Sequence, residues 1–211
     1  MYASRPSLEP IKGASTQRRH FFVLAAAIAA APVVLAGCGP KWIVLTQAAP
    51  NPLAGQTKFG IMPTTYDGLI VGEKSEAEYL ASKDEETRAS WAGDKGGIDT
   101  EFGKRLMERS TEAGINVVKA TGPDSAPFMI RPHVEFIEPG IYTYVFNKPS
   151  QVRMKVQITT PDGKVIDEIA IKHGTPASLT NPAVGNRLRD DGEALGALTA
   201  SYLKFRVTGG Q

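Results

Sequence analysis

An alternating segment in the C-terminal half of the chain constrains the fold most strongly. Apolar and polar side chains alternate from Val152 to Ile158, and this alternation predicts a β-strand with one buried face. Pro161-Asp162-Gly163 then predicts a turn, because proline presets φ and glycine accepts a positive φ. The chain returns over 164–173, so the segment predicts an antiparallel hairpin. The return-strand residues expected on one side are Val165, Ile169 and Ile171.

Shorter apolar runs predict the remaining strands of a sheet. They lie at 42–45, 58–63, 115–118 and 128–137. Pro132, inside the last run, cannot donate a hydrogen bond to a neighbouring strand. Its presence favours a sheet edge or a bulge at that point.

Capping patterns predict helices between the strands. Ser75–Glu78 has the form of a capping box, so a helix is expected to start there and run towards Trp91. The glycine-rich stretch 92–97 predicts a turn. A second helix is then expected from an N-cap at Asp99 to a closing glycine at Gly114.

An apolar stripe predicts a C-terminal helix over about 187–205. Gly192 and Gly196, one turn apart, are expected to let this helix lie close on the sheet. Asp190, Asp191 and Glu193 are expected near its start, where acidic side chains complement the helix dipole. The alternative is that these three carboxylates bind a cation.

The order of these elements predicts an α+β fold. We expect a mixed, largely antiparallel sheet with helices packed on it, in which the C-terminal hairpin is followed by the C-terminal helix. The predicted single domain covers 58–211, and a short connection covers 38–57.

The N-terminal segment has the layout of an export signal. The basic pair Arg18-Arg19 is followed by a run without charged side chains, Phe21–Ala36, and then by small residues before Cys38. A membrane-spanning helix is one alternative, but only 17 residues separate the start of the run from Cys38, and Pro32 interrupts it. A buried core helix is the other alternative, and it would leave the basic start and the cysteine unexplained.

Leu35-Ala36-Gly37-Cys38 resembles the lipobox of bacterial lipoproteins. The resemblance implies that residues 1–37 are a signal peptide, cleaved between Gly37 and Cys38. It also implies a diacylglycerol in thioether linkage on Cys38 and an acyl chain on the new N-terminus. Gly39, where aspartate would retain a lipoprotein at the inner membrane, resembles the sorting pattern for the periplasmic face of the outer membrane. Arg18-Arg19 before His-Phe-Phe resembles a twin-arginine export motif, although any two basic residues would serve general secretion.

Composition excludes several classes of function. The chain has 24 Lys and Arg and 22 Asp and Glu; four of the basic and one of the acidic side chains lie in residues 1–37, which leaves 20 and 21. This balance argues against nucleic-acid binding, and no polybasic segment for anionic lipids is present. Cys38 is the single cysteine, so the known zinc spacings cannot be assembled and no cofactor besides the lipid is expected.

Three aromatic residues are the candidate binding face. Tyr142, Tyr144 and Phe146 alternate between Pro139-Gly140 and Lys148-Pro149, so they would share one face of a strand or of a hairpin tip. Exposed aromatic side chains are typical anchors for protein partners. The alternative is that they pack as ordinary core residues.

One strand carries the candidate for catalysis. Arg131, His133 and Glu135 alternate and therefore point to the same side. A histidine beside a carboxylate can act as a general base, but a polar outer strand face is the commoner explanation. No nucleophile, phosphate-loop or dinucleotide motif is present, so we expect a protein that is not an enzyme.

Five features of the chain together resemble small bacterial envelope lipoproteins of unknown function. They are the lipobox, residues 59–63, the helix closed by Gly114, the 152–173 hairpin and the C-terminal helix. More distantly they resemble lipoproteins that activate peptidoglycan synthases or line the curli secretion pore. We expect a periplasmic binding or scaffolding role. The connection between Cys38 and the strand beginning near Trp42 reaches only about 15 Å at full extension, so an envelope protein partner is expected near the membrane. The alternatives are a hydrolase or ligand-binding protein using His133 and Glu135, or a subunit of a transport or secretion assembly.

Overall fold

The computed structural model describes residues 41–143 and 145–210. The strands are β1 (Trp42–Gln47), β2 (Lys58–Ile61), β3 (Ile70–Val71), β4 (Lys74–Ser75), β5 (Asn116–Lys119), β6 (Met129–Glu138), β7 (Ile141–Tyr142), β8 (Asn147–Lys148), β9 (Gln151–Thr159) and β10 (Val165–His173). The helices are α1 (Glu76–Ala81), α2 (Glu85–Glu112) and α3 (Val184–Val207). Within the described part of the chain, none of the helices combines the length and the low polarity that crossing a bilayer requires.

The main sheet has the strand order β1-β10-β9-β6-β2-β5. Its first four strands pair antiparallel, whereas β2 lies parallel to both β6 and β5. Beyond the end of β2, β3 continues the parallel pairing with β6. The predicted fold class is therefore confirmed: a mixed, largely antiparallel sheet with helices packed on it and a hairpin before the C-terminal helix.

The hairpin predicted from the alternating segment is formed by β9 and β10. The inward side chains of β9 are all buried: Val152, Met154, Val156 and Ile158. The expectation for Val165 is wrong, because a register shift between Val165 and Asp167 turns Ile166 into the core and leaves Val165 exposed. Such a bulge inserts one residue, so a strict period of two cannot anticipate it.

Helices α2 and α3 lie side by side against one face of the sheet. Trp91 and Phe102 from α2, and Leu188 and Tyr202 from α3, are buried against the inward side chains of the strands. The opposite face of the β6, β9 and β10 ladder is not covered by these helices and carries polar and charged side chains. The sheet therefore has a helix-covered inner face and an open outer face.

The two N-terminal helices begin at capping residues. The capping box Ser75–Glu78 is present and starts α1, but this helix ends at Ala81 instead of running on to Trp91. A new helix then starts after Asp84, whose carboxylate caps it. It ends as predicted just before Gly114, which has a φ of 75°.

Helix α2 is continuous where the sequence predicted a turn and a second helix. It passes through 92–97 because Trp91 and Ile98 on either side are both buried in the core. That burial offsets the low helix propensity of glycine, which is about 1 kcal/mol per residue relative to alanine. Asp99, predicted as an N-cap, lies inside the helix, and its carboxylate accepts a hydrogen bond from the Thr64 amide at 2.9 Å.

Pro132 lies in an interior strand, so the expectation of a sheet edge is wrong. The Thr65 amide donates to the Pro132 carbonyl at 3.1 Å, and β2 has already ended at Ile61. The N–H and C=O of a strand residue point to the same side of the strand. The side on which Pro132 lacks an N–H therefore faces the gap between the end of β2 and the start of β3, where no strand needs that donor. A register shift, of the kind also expected, follows between Val134 and Phe136.

The glycines of α3 allow close packing on α2 instead of on the sheet as predicted. A Cβ atom at Gly192 would lie 2.7 Å from the carbonyl oxygen of Ile98. One at Gly196 would clash with the carbonyl oxygen of Phe102. The absence of side chains at these two positions is therefore what lets the backbones of α2 and α3 approach each other.

Candidate functional site

A two-stranded hairpin projects from one end of the main sheet, and we call residues 141–148 the exposed hairpin. Strands β7 and β8 form its arms. The Thr143 amide donates to the Phe146 carbonyl at 3.0 Å, and the Phe146 amide donates to the Thr143 hydroxyl at 2.8 Å. Tyr142 and Phe146, expected on one strand face or at a hairpin tip, thus lie on opposite sides of a tight turn.

The tip of the exposed hairpin presents apolar side chains to solvent. Val145 is 98% exposed and Phe146 is 59% exposed, while Ile141 on the first arm is 49% exposed. Tyr142 is half-buried. Large apolar side chains at such exposures are unusual in a cluster, and clusters of this kind commonly mark interaction sites.

The base of the exposed hairpin is held tightly. Gly140 has a φ of 71°, and a Cβ atom there would lie 2.6 Å from the Lys148 carbonyl oxygen, so the two arms meet too closely for a side chain. The Glu138 carboxylate accepts from the Gly140 amide at 3.1 Å and pairs with the Lys148 ammonium at 2.5 Å.

Arg187 of α3 holds the segment that leads into the exposed hairpin. Its side chain is fully buried, and its guanidinium donates to the Pro139 carbonyl at 3.1 Å and to the carbonyls of Asn181 and Pro182. Burial lowers the pKa of this guanidinium from its usual value. The three hydrogen bonds compensate for part of the loss of hydration, since the buried Nε of Arg187 has no hydrogen-bond partner among the described residues.

Asp191, one turn further along α3, fixes the exit. This carboxylate is fully buried and accepts hydrogen bonds from Ser150 Oγ at 2.7 Å, Thr175 Oγ1 at 2.7 Å and His173 Nδ1 at 2.9 Å. Burial raises its pKa, and the three hydrogen bonds partly oppose that rise. Ser150 lies two residues after the exposed hairpin, so the guanidinium of Arg187 and the carboxyl of Asp191, both buried and both on α3, hold the two ends of the hairpin.

This role of Asp191 was not predicted, because Asp190 and Asp191 were expected near the helix start. The helix begins at Val184, which puts both residues beyond its first turn. Asp191 lies three residues after Leu188 and four before Leu195, on the apolar stripe itself. An acidic residue on an apolar stripe is the signal that would have indicated a buried, hydrogen-bonded carboxylate.

A groove of about 550 Å³ lies beside the base of the exposed hairpin. The turn between β3 and β4, helix α1 and the first arm of the hairpin form its walls. Its apolar lining includes Val71, Tyr79 and Ile141, and Lys74 and Lys83 stand at its rim. The groove is large enough to receive a short segment of another chain next to the apolar tip.

The geometry does not form the expected pair of His133 and Glu135. His133 Nδ1 lies 2.9 Å from the Thr65 hydroxyl, and the Glu135 carboxylate pairs with Lys155 at 2.6 Å. Arg131 donates from Nε to the Thr159 hydroxyl at 3.1 Å. The three side chains share the open face, as predicted, but they belong to separate interactions.

Some predicted sites fall outside the described residues. These are Arg18, Arg19, Gly37, Cys38 and Tyr144. Within the described residues, no group of three or more His, Cys, Asp or Glu side chains is arranged to hold a metal ion.

No protein-family model and no curated protein matches the chain. Among solved structures it is similar to the PelC dodecamer from Paraburkholderia phytofirmans, with a TM-score of 0.42, 10% identity, and coverage of 74% of this chain and 96% of that one. It is also similar to the hypothetical protein CT253 from Chlamydia trachomatis, with a TM-score of 0.41, 10% identity and coverage of 70% and 98%. Lipoprotein GNA1162 from Neisseria meningitidis has a TM-score of 0.31, 12% identity and coverage of 70% and 95%. Likenesses at these scores and identities carry no argument about function.

Proposed function

We propose that the chain is a lipid-anchored protein of the bacterial outer membrane whose exposed hairpin binds another envelope protein. The observation that carries the proposal is the exposure of Val145 and Phe146 at the tip of a hairpin with a rigid base. The anchor is supported by the lipobox resemblance at Cys38 and the export-signal layout before it. The proposed role is binding, not catalysis.

The rigid base matters for affinity. Ordering a flexible loop on binding costs about 0.5–1.5 kcal/mol for each side chain immobilised, and that cost is subtracted from the contacts made. Arg187 and Asp191 already hold the two ends of the exposed hairpin in the free protein. Its apolar tip can therefore enter a pocket on a partner with less loss of conformational entropy.

The pairing of the strands brings the exposed hairpin to the same end of the sheet as Trp42, the first residue of β1. Trp42 pairs with Ile171, next to Met154, and the hairpin leaves the sheet after Glu138 and re-enters at Gln151. Cys38 precedes Lys41 by three residues, a reach of about 11 Å at full extension. The partner is therefore expected close to the membrane surface.

Site-specific photo-crosslinking in intact cells tests the hairpin. A benzophenone amino acid replaces Val145 in one strain and Ser201, exposed on α3, in a control strain. We expect discrete protein adducts from position 145 alone, and we expect Phe146→Ser to reduce them at least about tenfold, since a central hot-spot side chain contributes 2 kcal/mol or more.

Three outcomes would contradict the proposal. The first is the same adduct pattern from both positions, which would indicate random encounter. The second is an adduct from position 145 that Phe146→Ser leaves unchanged. The third is attachment from position 145 to lipid only, with no protein adduct.

A further inference from the structure

The open face of the sheet gathers cations that lie far apart in the sequence. Lys172 of β10 pairs in register with Arg153 of β9, and Lys41 comes directly before the strand that pairs with β10. We call Lys41, Arg153 and Lys172 the cationic patch. Lys41 and Arg153 are 112 positions apart in the sequence, and Arg153 and Lys172 are 19 apart. The three residues therefore do not form a polybasic segment.

The cationic patch surrounds a groove of about 570 Å³. The groove has an apolar floor to which Ile43 and Ala170 contribute, and Ile43 is 66% exposed. Cationic rims around an apolar floor match the boundary between phospholipid headgroups and acyl chains, where both kinds of side chain find partners.

Within residues 41–143 and 145–210, the charges of the cationic patch are not neutralised by ion pairs. Among the described residues, none of the three side chains forms an ion pair with a carboxylate. Glu135, the carboxylate that lines the groove, pairs with Lys155 instead. The Arg153 guanidinium lies 4.0 Å from the centre of the Phe136 ring, which orients it without neutralising it.

The position of the patch in the chain indicates what covers it. Lys41 is three residues from Cys38, so a lipid on that cysteine would bring the patch within about 11 Å of the bilayer. That reach is a maximum, and the screening length in physiological salt is about 8 Å, so the basic side chains interact with an anionic surface when the connection is less than fully extended.

We propose that the cationic patch binds the phosphate groups of anionic phospholipids and so orients the open face of the sheet towards the membrane surface. The proposal rests on the lipid anchor of the proposed function. It adds an orientation: the domain is held by its lipid and by this face, and helices α2 and α3 are turned away from the bilayer.

The lipidated full-length mature protein, reconstituted in vesicles, tests this orientation. Because the lipid would consume the sulfur of Cys38, a single new cysteine is a unique site for a fluorophore. Thr46→Cys places the probe on β1 beside Glu168 of the open face, and Ser201→Cys places it on the exposed side of α3 as the control. Quenching by headgroup spin-labelled lipid reports which probe lies at the membrane.

In vesicles of phosphatidylethanolamine and phosphatidylglycerol, we expect the probe at position 46 to be quenched several-fold more than the probe at 201. The combined variant Lys41→Gln, Arg153→Gln, Lys172→Gln should bring the two probes to equal quenching, as should high salt or vesicles of phosphatidylcholine alone. The matched variant Lys104→Gln, Arg109→Gln, Lys204→Gln removes the same charge from helices α2 and α3 and should leave the difference intact.

Equal quenching of the two probes, or a difference that survives the loss of the cationic patch, would overturn the proposal. Failure of the anchor itself gives a separate signature. The protein would then not float with vesicles of either composition, and the chain without an added cysteine would take the thiol-reactive label at Cys38.

Discussion

A buried carboxylate lies at each end of helix α3, and the two differ in their surroundings. Asp167 belongs to β10 and contacts the C-terminal end of the helix, whereas Asp191 belongs to the helix itself. At the C-terminal end, Asp167 accepts from Tyr202 Oη and Arg206 Nε, both at 2.7 Å, and all three side chains are buried. At the N-terminal end, Asp191 is equally buried, but its partner His173 is 41% exposed.

The difference in exposure indicates that the two buried carboxylates have different roles. The Asp167 cluster joins β10, α3 and, through the Arg206 guanidinium and the Ala48 carbonyl, the end of β1. It is closed to water and serves stability. The Asp191 cluster is open on one side and lies under the exposed hairpin, so it positions a surface that faces other molecules.

The largest effect on stability is expected at the closed end. Arg206→Met removes the cation from a buried pair and leaves Asp167 charged without its main partner, which costs about 3–5 kcal/mol. Urea unfolding followed by circular dichroism measures it, with exposed Lys204→Met as the control. A loss below about 1 kcal/mol would mean that the closed cluster is not what stabilises this end.

A smaller loss is expected in the middle of the helix. Gly196→Ala forces a Cβ atom against the Phe102 carbonyl and should destabilise the fold by about 1–3 kcal/mol. Gly93→Ala, in α2 with open space around the new atom, should instead stabilise it by about 0.5–1 kcal/mol. The same sign for both changes in thermal unfolding would contradict the close packing of α2 and α3.

The open end is expected to respond to pH. Burial raises the folded-state pKa of Asp191 above its unfolded value. Its contribution to stability is therefore complete below the unfolded pKa of about 3.9 and is lost as the pH rises through the folded pKa. The free energy of unfolding of the wild type, relative to Asp191→Asn, should fall over that range. Denaturant titrations at several pH values test this, and Asp190→Asn, next to it and exposed, is the control.

The smallest effect on stability is expected at the surface that the open end supports. The double change Val145→Ser and Phe146→Ser should alter the free energy of unfolding by less than about 0.5 kcal/mol, because both side chains are largely exposed. It should nevertheless abolish hairpin-dependent crosslinks from a photoreactive residue at Ile141. A large loss of stability would show that the tip packs as core.

Local patterns predicted those parts of the fold that depend on neighbouring residues. The alternation in β9, the capping box before α1 and the closing Gly114 all needed only a few residues of sequence. The turn predicted at 92–97 was wrong because core burial on both sides of the glycines overrides their propensity. The packing of Gly192 and Gly196 on α2 depends on which element lies opposite them in the fold. The residues near these glycines in the sequence do not indicate that element.

The candidate site divides in the same way. The alternating aromatic residues indicated the segment and its exposed Phe146, but they did not indicate Val145, the most exposed side chain of the tip. The residues that support the tip could not be predicted, since Arg187 contacts Pro139, 48 residues away, and Asp191 contacts Ser150, 41 residues away. The cationic patch was hidden for a related reason, because strand pairing alone brings Lys41, Arg153 and Lys172 together.

Lipid labelling of the chain tests its placement at the membrane most directly. Cells expressing the wild type or Cys38→Ser are grown with a clickable fatty acid, and the chain is then isolated and examined by gel and mass spectrometry. We expect label on the wild type, with an N-terminus at modified Cys38, and an unlabelled, uncleaved precursor from Cys38→Ser. An unlabelled wild type, or normal cleavage of Cys38→Ser, would contradict the anchor on which both proposals depend.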